Sequence, residues 1–236
     1  IFDQHPHFLD DKGKQRNIVA TYDCTKSGPL KPGPANDVHG HGTHVAGIIA
    51  AETDNGEGIA GVAPLAKIMP MKVFPSNSGS LAVGVTNVPQ AIADSVQRGA
   101  KVINLSLGGI QGLSLVGSIE TPCLNAFQRG ALCVVASGNS GKGKPSGYDN
   151  GVWFLNVTAN DEARNRAGFG QNADTKWSVS APGVAIMSTV PVEQGSYAEK
   201  QGTSMAAPHA AGAAALLFAQ GLTNQQVVDR LRQTAT

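Results

Sequence analysis

The stretch "GTSMAAPHAAGAAALL", residues 202–217, carries no charged side chain, and His209 is its only strongly polar residue after Ser204. A helix apolar on every side has to be covered on every side, so this one belongs inside a layered core. Ser204 and Pro208 stand where that helix should begin. Pro208 reads as a first-turn proline, whose missing N–H would lack a helical partner anyway. Position alone leaves two readings of Ser204 open. It can cap the helix, or it can be a nucleophile at the positive end of the helix dipole. A free hydroxyl is barely nucleophilic at neutral pH, so the second reading needs a base elsewhere in the chain.

Upstream of this helix, "AKIMPMKVF" (66–74), "KVINLSLGG" (101–109), "ALCVVASGN" (131–139) and "GVWFLNVTA" (151–159) are short, apolar and β-branched, and predict strands. Between them, "VPQAIADSVQRG" (88–99) and "SIETPCLNAFQRG" (118–130) show helical spacing and close on Arg-Gly, a stop signal. The alternation implies an α/β fold with a mostly parallel sheet covered on both faces. Sites in such sheets gather at the carboxyl ends of the strands, where "SLGG" and "SGNSG" fall. Clusters of Pro, Gly and Ser over 25–37 and 137–151 mark surface loops. The chain has 236 residues, no repeat of fixed period and no long low-complexity linker, and so reads as a single domain, 1–236.

Charged residues make up 15% of the chain and glycines number 29, which suits a compact, turn-rich domain and argues against disorder. A net charge of +1 gives no reason to expect nucleic acid or an anionic membrane as partner. The longest apolar run, 210–219, is too short to span a bilayer. The opening "IFDQHPHFLDDKG" has no signal-peptide character, so a secreted protein would be present here in processed form. Cys24, Cys123 and Cys133 are too few for a disulfide scaffold. One disulfide plus a free thiol, or three buried thiols, are both open.

Two further segments carry chemistry. In "DVHGHGTHVAGIIAA" (37–51), His41 follows a glycine turn at the start of an apolar helical stretch, with His44 one turn on. Histidines at this spacing can ligate metal, but no HExxH-type signal accompanies them, so zinc is not expected. In "VVASGNSG" (134–141), Asn139 ends an apolar strand. It is an ordinary turn residue by type, yet a fixed side-chain amide at a strand end can also donate to a developing oxyanion. Hydroxyl, imidazole and oxyanion donor together are the parts needed for acyl transfer.

In "HGTHVAG" (41–47), "SLGG" (106–109), "SGN" (137–139) and "GTSMAAPH" (202–209), taken in order, the chain resembles the subtilisin-like serine proteases. The match extends through "GIAGVAP" (58–64), "VSAPGV" (179–184) and "AGAAALL" (211–217), covering nearly the whole chain. The resemblance implies a three-layer α/β/α fold and a serine endopeptidase in which Ser204 is the nucleophile and His41 the general base, then acid. Asn139 and the Ser204 amide would form the oxyanion hole, and His44 would be structural. Activity is then expected to fall as pH drops through a His41 pKa near 6 to 7.

The family binds its substrate as an added β-strand. Gly79, Ser80 and Leu81 on one side and Ser106, Leu107 and Gly108 on the other resemble the two flanking edges. Gly147 resembles the floor of the pocket for the residue before the scissile bond, leaving it deep enough for an apolar side chain, although Asp149 stands where many relatives carry proline. Polypeptide substrates, a propeptide or protein inhibitor, a monomeric state and an extracellular location are implied in the same way. No cofactor is required, and structural calcium is possible. The loop "AETDNGEGIAG" (51–61) is more acidic than the calcium-binding loop of many relatives, but His7 stands where several of them supply a carboxylate, and a solvated acidic loop is the expected reading.

One element departs from the family pattern. Its catalytic acid lies in an Asp-Thr/Ser-Gly triplet shortly before an "HP". Setting His5-Pro6 on that pair places the acid just upstream of residue 1, together with a strand whose loss would expose sheet edges. Asp3 is the nearest alternative, and Asp37 and Asp23 are weaker ones. Losing the acid costs about 10⁴-fold in rate, a figure measured on members of this family or their analogues. A second reading is therefore a weakly active or non-catalytic relative that binds peptides. A different α/β hydrolase is disfavoured, because "GTSMA" lacks the G-x-S-x-G elbow and His41 precedes Ser204.

Overall fold

The structure is a computed structural model that describes residues 1–25, 30–34, 36–75, 87–107, 115–141, 153–171 and 177–235, with only the backbone over 115–118. Among the described residues, five α-helices surround the strands: α1 (His41–Ala50), α2 (Val88–Gln97), α3 (Leu115–Gln128), α4 (Thr203–Ala219) and α5 (Asn224–Thr234). Two parallel ladders make the middle layer. In the first, β1 (Tyr22–Asp23) pairs with β2 (Met71–Lys72). In the second, β3 (Val102–Leu105), β4 (Leu132–Ala136), β5 (Phe154–Asn160) and β6 (Ser178–Pro182) lie side by side in that order. An antiparallel hairpin, β7 (Ile186–Thr189) and β8 (Tyr197–Lys200), leads into α4.

β4 shows why the layers form. All five of its residues are buried, and alternate side chains leave opposite faces of the sheet. Cys133 and Val135 join Ile92 of α2 and Ala126 of α3 in one apolar cluster. Leu132, Val134 and Ala136 join Ala207 and Ala211 of α4 and Val227 and Val228 of α5 in another. Each fully buried Val or Leu stabilises the fold by roughly 1.5–3 kcal/mol of transfer free energy. The three-layer α/β/α architecture expected from the sequence is the one observed.

No ladder joins β2 to β3 among the described residues, although Tyr22, Cys24 and Val73 share an apolar cluster with Ile103 and Leu105. The strand predicted over 66–74 shrinks to Met71–Lys72, preceded by an isolated bridge between Ile18 and Ile68. Pro70 has no N–H to donate and offers only its carbonyl, to Tyr22 N at 2.9 Å. α3 starts three residues earlier than its periodicity suggests and stops before Gly130, whose φ is 79°. Cys123 and Cys133 form a disulfide between α3 and β4, while Cys24 stays free. Burial, then the charges of Asp94 and Asp23, push the Cys24 thiol up to about 11.

Candidate active site

α4 opens on Gly202, whose φ of 143° suits glycine alone, and Ser204 is the second helical residue. The helix has no side-chain N-cap, so the capping reading of Ser204 does not hold. Pro208 is also placed differently from expectation. It is the sixth helical residue, so its missing N–H deprives the Ser204 carbonyl of its i+4 donor. Ser106 Oγ donates to that carbonyl instead, at 2.8 Å. In return Ser204 Oγ donates to the Ser106 carbonyl over a long 3.4 Å, leaving the hydroxyl loosely held. The Ser204 N–H, a first-turn donor, has no partner among the described residues.

Asn139 lies three residues past β4 and is exposed. Its Oδ1 accepts from Thr203 N and from Thr203 Oγ1, each at 2.9 Å. Two donors on one oxygen settle which end of the amide is which, and Nδ2 is left without a described partner. A Cβ at Gly202 would sit 3.3 Å from Asn139 Nδ2 and 3.7 Å from Ser204 N. The empty side-chain position of Gly202 is therefore bordered by two N–H donors, with Asn139 Oδ1, already committed to Thr203, also 3.7 Å away.

His41 is the first residue of α1, after Gly40 in the left-handed region at φ 83°. Asp37 builds this start. Its Oδ1 accepts from His39 N at 3.0 Å and Gly40 N at 2.8 Å, and its Oδ2 from Thr43 N and Thr43 Oγ1, both at 2.8 Å. With both oxygens committed to the helix start, Asp37 does not serve as an acid for the imidazole. Asp3 accepts from Gln4 Nε2, and Asp23 from Thr25, so none of the three sequence candidates hydrogen-bonds His41.

The β7–β8 hairpin locks α1 in place. Ser188 Oγ donates to the His44 carbonyl at 2.7 Å and Thr189 Oγ1 to the Thr43 carbonyl at 2.9 Å. His44 Nε2 lies 3.0 Å from the Ile186 carbonyl and 2.9 Å from that of Ala198. α1 also packs directly against α4.

The His41 imidazole makes no hydrogen bond to a described residue, and the His39 ring lies 6.3 Å away. Burial, then His39, Lys200 and His44, lower its pKa to about 4, against the opposing field of Asp37. This is well below the 6 to 7 expected from the sequence. The cause is desolvation beside positive charge, which outweighs the Asp37 carboxylate, and none of the described carboxylates hydrogen-bonds the ring.

Of the expected substrate-binding residues, Gly79, Ser80, Leu81, Gly108 and Gly147 lie outside the described residues. Ser106 is buried against Ser204, and the Leu107 side chain packs on the core. The partners missed from the sequence are Thr203, which orients Asn139, and Asp37 in its capping role. A proline four residues after Ser204 was the available signal for Ser106, since it implies a carbonyl needing another donor.

In the 51–61 loop the Asn55 side chain is engaged within the protein. The Oδ1 of Asn55 is taken by Glu57 N at 3.1 Å, and its Nδ2 faces His7 Nδ1 at 3.3 Å. Among the described residues no three His, Cys, Asp or Glu side chains converge as a metal site. No described helix is long and apolar enough to cross a membrane.

Comparison with known proteins places the chain in a family. The profile of the subtilase family matches residues 3–236. A thermophilic serine proteinase of Bacillus sp. (strain AK1) is 41% identical over 203 residues, 84% of this chain and 47% of the relative. Thermitase of Thermoactinomyces vulgaris is 40% identical over 201 residues, 84% of this chain and 67% of the relative. Among solved structures, the S41 psychrophilic protease superposes with a TM-score of 0.79 at 30% identity, covering 99% of this chain and 79% of that one. The chain thus spans about half of one relative and two thirds of another. It belongs to the subtilase family, the subtilisin-like serine endopeptidases.

Proposed function

We propose that this chain forms the catalytic body of an endopeptidase that cleaves polypeptides through an acyl-enzyme on Ser204. Ser204 Oγ attacks the scissile carbonyl while His41 takes its proton, and the carbonyl oxygen becomes an oxyanion. Asn139 Nδ2 and Ser204 N donate to that oxyanion. His41 then passes the proton to the leaving amine as the C–N bond breaks, and water repeats the sequence to free the acid product. The observation that carries this reading is the pair of N–H donors, without partners among the described residues, that border the empty side-chain position of Gly202 beside a loosely held Ser204 hydroxyl.

The substrate adds as a strand along Ser106–Leu107–Gly108 and the Gly79–Ser80–Leu81 segment, with an apolar side chain entering the pocket floored by Gly147. Broad specificity follows from recognition that engages the main chain first. A carboxylate from outside the described residues completes the site by holding the His41 imidazole and stabilising its charged form. Secretion, monomeric behaviour and inhibition by a propeptide are part of the same proposal.

The test is active-site labelling. A fluorophosphonate should modify Ser204 in the full-length protein, and Ser204→Ala should abolish both labelling and peptide hydrolysis. A folded full-length protein that neither labels nor cleaves would sink the proposal.

A further inference from the structure

His5 and His7 are both fully buried, and their rings stack 5.6 Å apart at 10°. Tyr197 of β8 stands edge-on to both, at 5.5 and 5.7 Å. Three separate segments meet at these rings. The first is the turn carrying the histidines, the second is the acidic loop over 52–58, and the third is the β7–β8 hairpin. The Tyr197 ring occupies the space where a side chain at Gly58 would go, so the loop closes directly onto the hairpin.

The hydrogen bonds require both rings to be neutral. His5 Nδ1 accepts from His7 N at 3.2 Å, so its proton sits on Nε2 and is donated to the Ser196 carbonyl at 2.9 Å. His7 Nδ1 faces the Asn55 amide nitrogen at 3.3 Å and accepts from it, which puts the His7 proton on Nε2, a buried atom without a described partner. Protonating either ring sets an N–H against another N–H, and places a buried charge against its stacked neighbour.

The surrounding charges are divided. Glu52 and Glu57 of the loop favour a proton here, while Arg16 opposes one on His7. Arg16 is itself fixed to the His7 and Ala50 carbonyls and lies 3.7 Å from Glu52. Burial dominates, and it holds both imidazoles below their usual pKa.

We propose that the His5–His7 pair is an acid-sensitive clasp: as neutral rings it ties the 5–8 turn, the 52–58 loop and the β7–β8 hairpin together, and protonation at mildly acidic pH releases them. The consequence reaches the active site, because this hairpin holds α1 through His44, Ser188 and Thr189 and runs directly into α4. A folded-state pKa below the unfolded value means the clasp contributes fully above about pH 6.5, and its contribution is lost as pH falls below that.

The experiment uses full-length protein carrying Ser204→Ala, so that self-cleavage does not intervene. The thermal midpoint should drop by roughly 5 °C or more between pH 7.5 and 5.5, and His5→Gln with His7→Asn should remove at least about half of that drop. An undiminished drop in the double variant would overturn the clasp. Should the double variant not fold, hydrogen exchange on the parent decides. Protection over 5–8, 52–58 and 196–200 should fall about tenfold or more across the same pH range, while β4 and β5 keep theirs. A uniform fall, or none, would overturn the proposal.

Discussion

Thr203 donates twice to one oxygen of Asn139, from its amide and from its hydroxyl, each at 2.9 Å. The residue that follows the turn glycine Gly138 is thereby aimed by the first residue of α4, 64 positions along the chain. Removing the Asn139 amide as Asn139→Leu should lower kcat by about 10²–10³-fold with little change in KM, the cost already measured for such a donor in a subtilisin. Thr203→Val keeps the shape and one donor, and should cost about tenfold or less. Steady-state kinetics on a peptide substrate checks both, and an equal effect on KM would argue against a role confined to the oxyanion.

Gly202 gives a steric version of the same test. Gly202→Ala puts a methyl beside Asn139 Nδ2 and Ser204 N, the two proposed oxyanion donors, at a φ of 143°. Activity should fall by about 10²-fold or more, with the strain adding about 1–3 kcal/mol of instability. Near-wild-type turnover would show that the oxyanion lies elsewhere.

Asp37 anchors the helix that carries His41, with four hydrogen bonds to its two oxygens. Asp37→Ala should destabilise the protein by about 1–2 kcal/mol in a denaturant titration. Asp37 also supports the protonated form of His41. Asp37→Asn should therefore move the acid limb of the pH–rate profile downward, which loss of packing alone would not do.

Lys200 acts on His41 in the opposite sense. With the neutral imidazole as the proposed base, the rate should fall as pH drops through the His41 pKa. Lys200→Gln removes a charge that disfavours the imidazolium and should raise the acid limb by on the order of half a pH unit. An unmoved limb would show that this charge does not reach His41.

The Cys123–Cys133 disulfide closes a short loop, with a sequence separation of 10. Chain-entropy arguments give it about 2–3 kcal/mol. Cys123→Ala with Cys133→Ala should lower the thermal midpoint accordingly, and the loss should be absent if the two are thiols in solution.

Much of the architecture is legible in the amino-acid sequence. The apolar, charge-free α4 required cover on all sides, and β4 with its neighbours had strand length and composition. Local pattern carries that information because burial on a helix or strand repeats with the period of the element. It failed where a residue's role depends on a distant partner. Asn139 looked like a turn residue until Thr203 met its oxygen. Pro208 looked like a first-turn proline until Ser106 proved to supply the donor it lacks. The three cysteines left their pairing open until α3 was laid on β4.

The motif around Ser204, the glycine turn before His41 and the strand–helix alternation are properties of short segments, and their chemistry can be read from residue type and spacing. The direction of the Asn139 amide, the commitment of Asp37 to a helix start and the low pKa of His41 belong to the folded chain alone. Hydrogen-bond geometry and desolvation act over a few ångströms in space, and folding brings within that range groups that stand tens of residues apart in sequence.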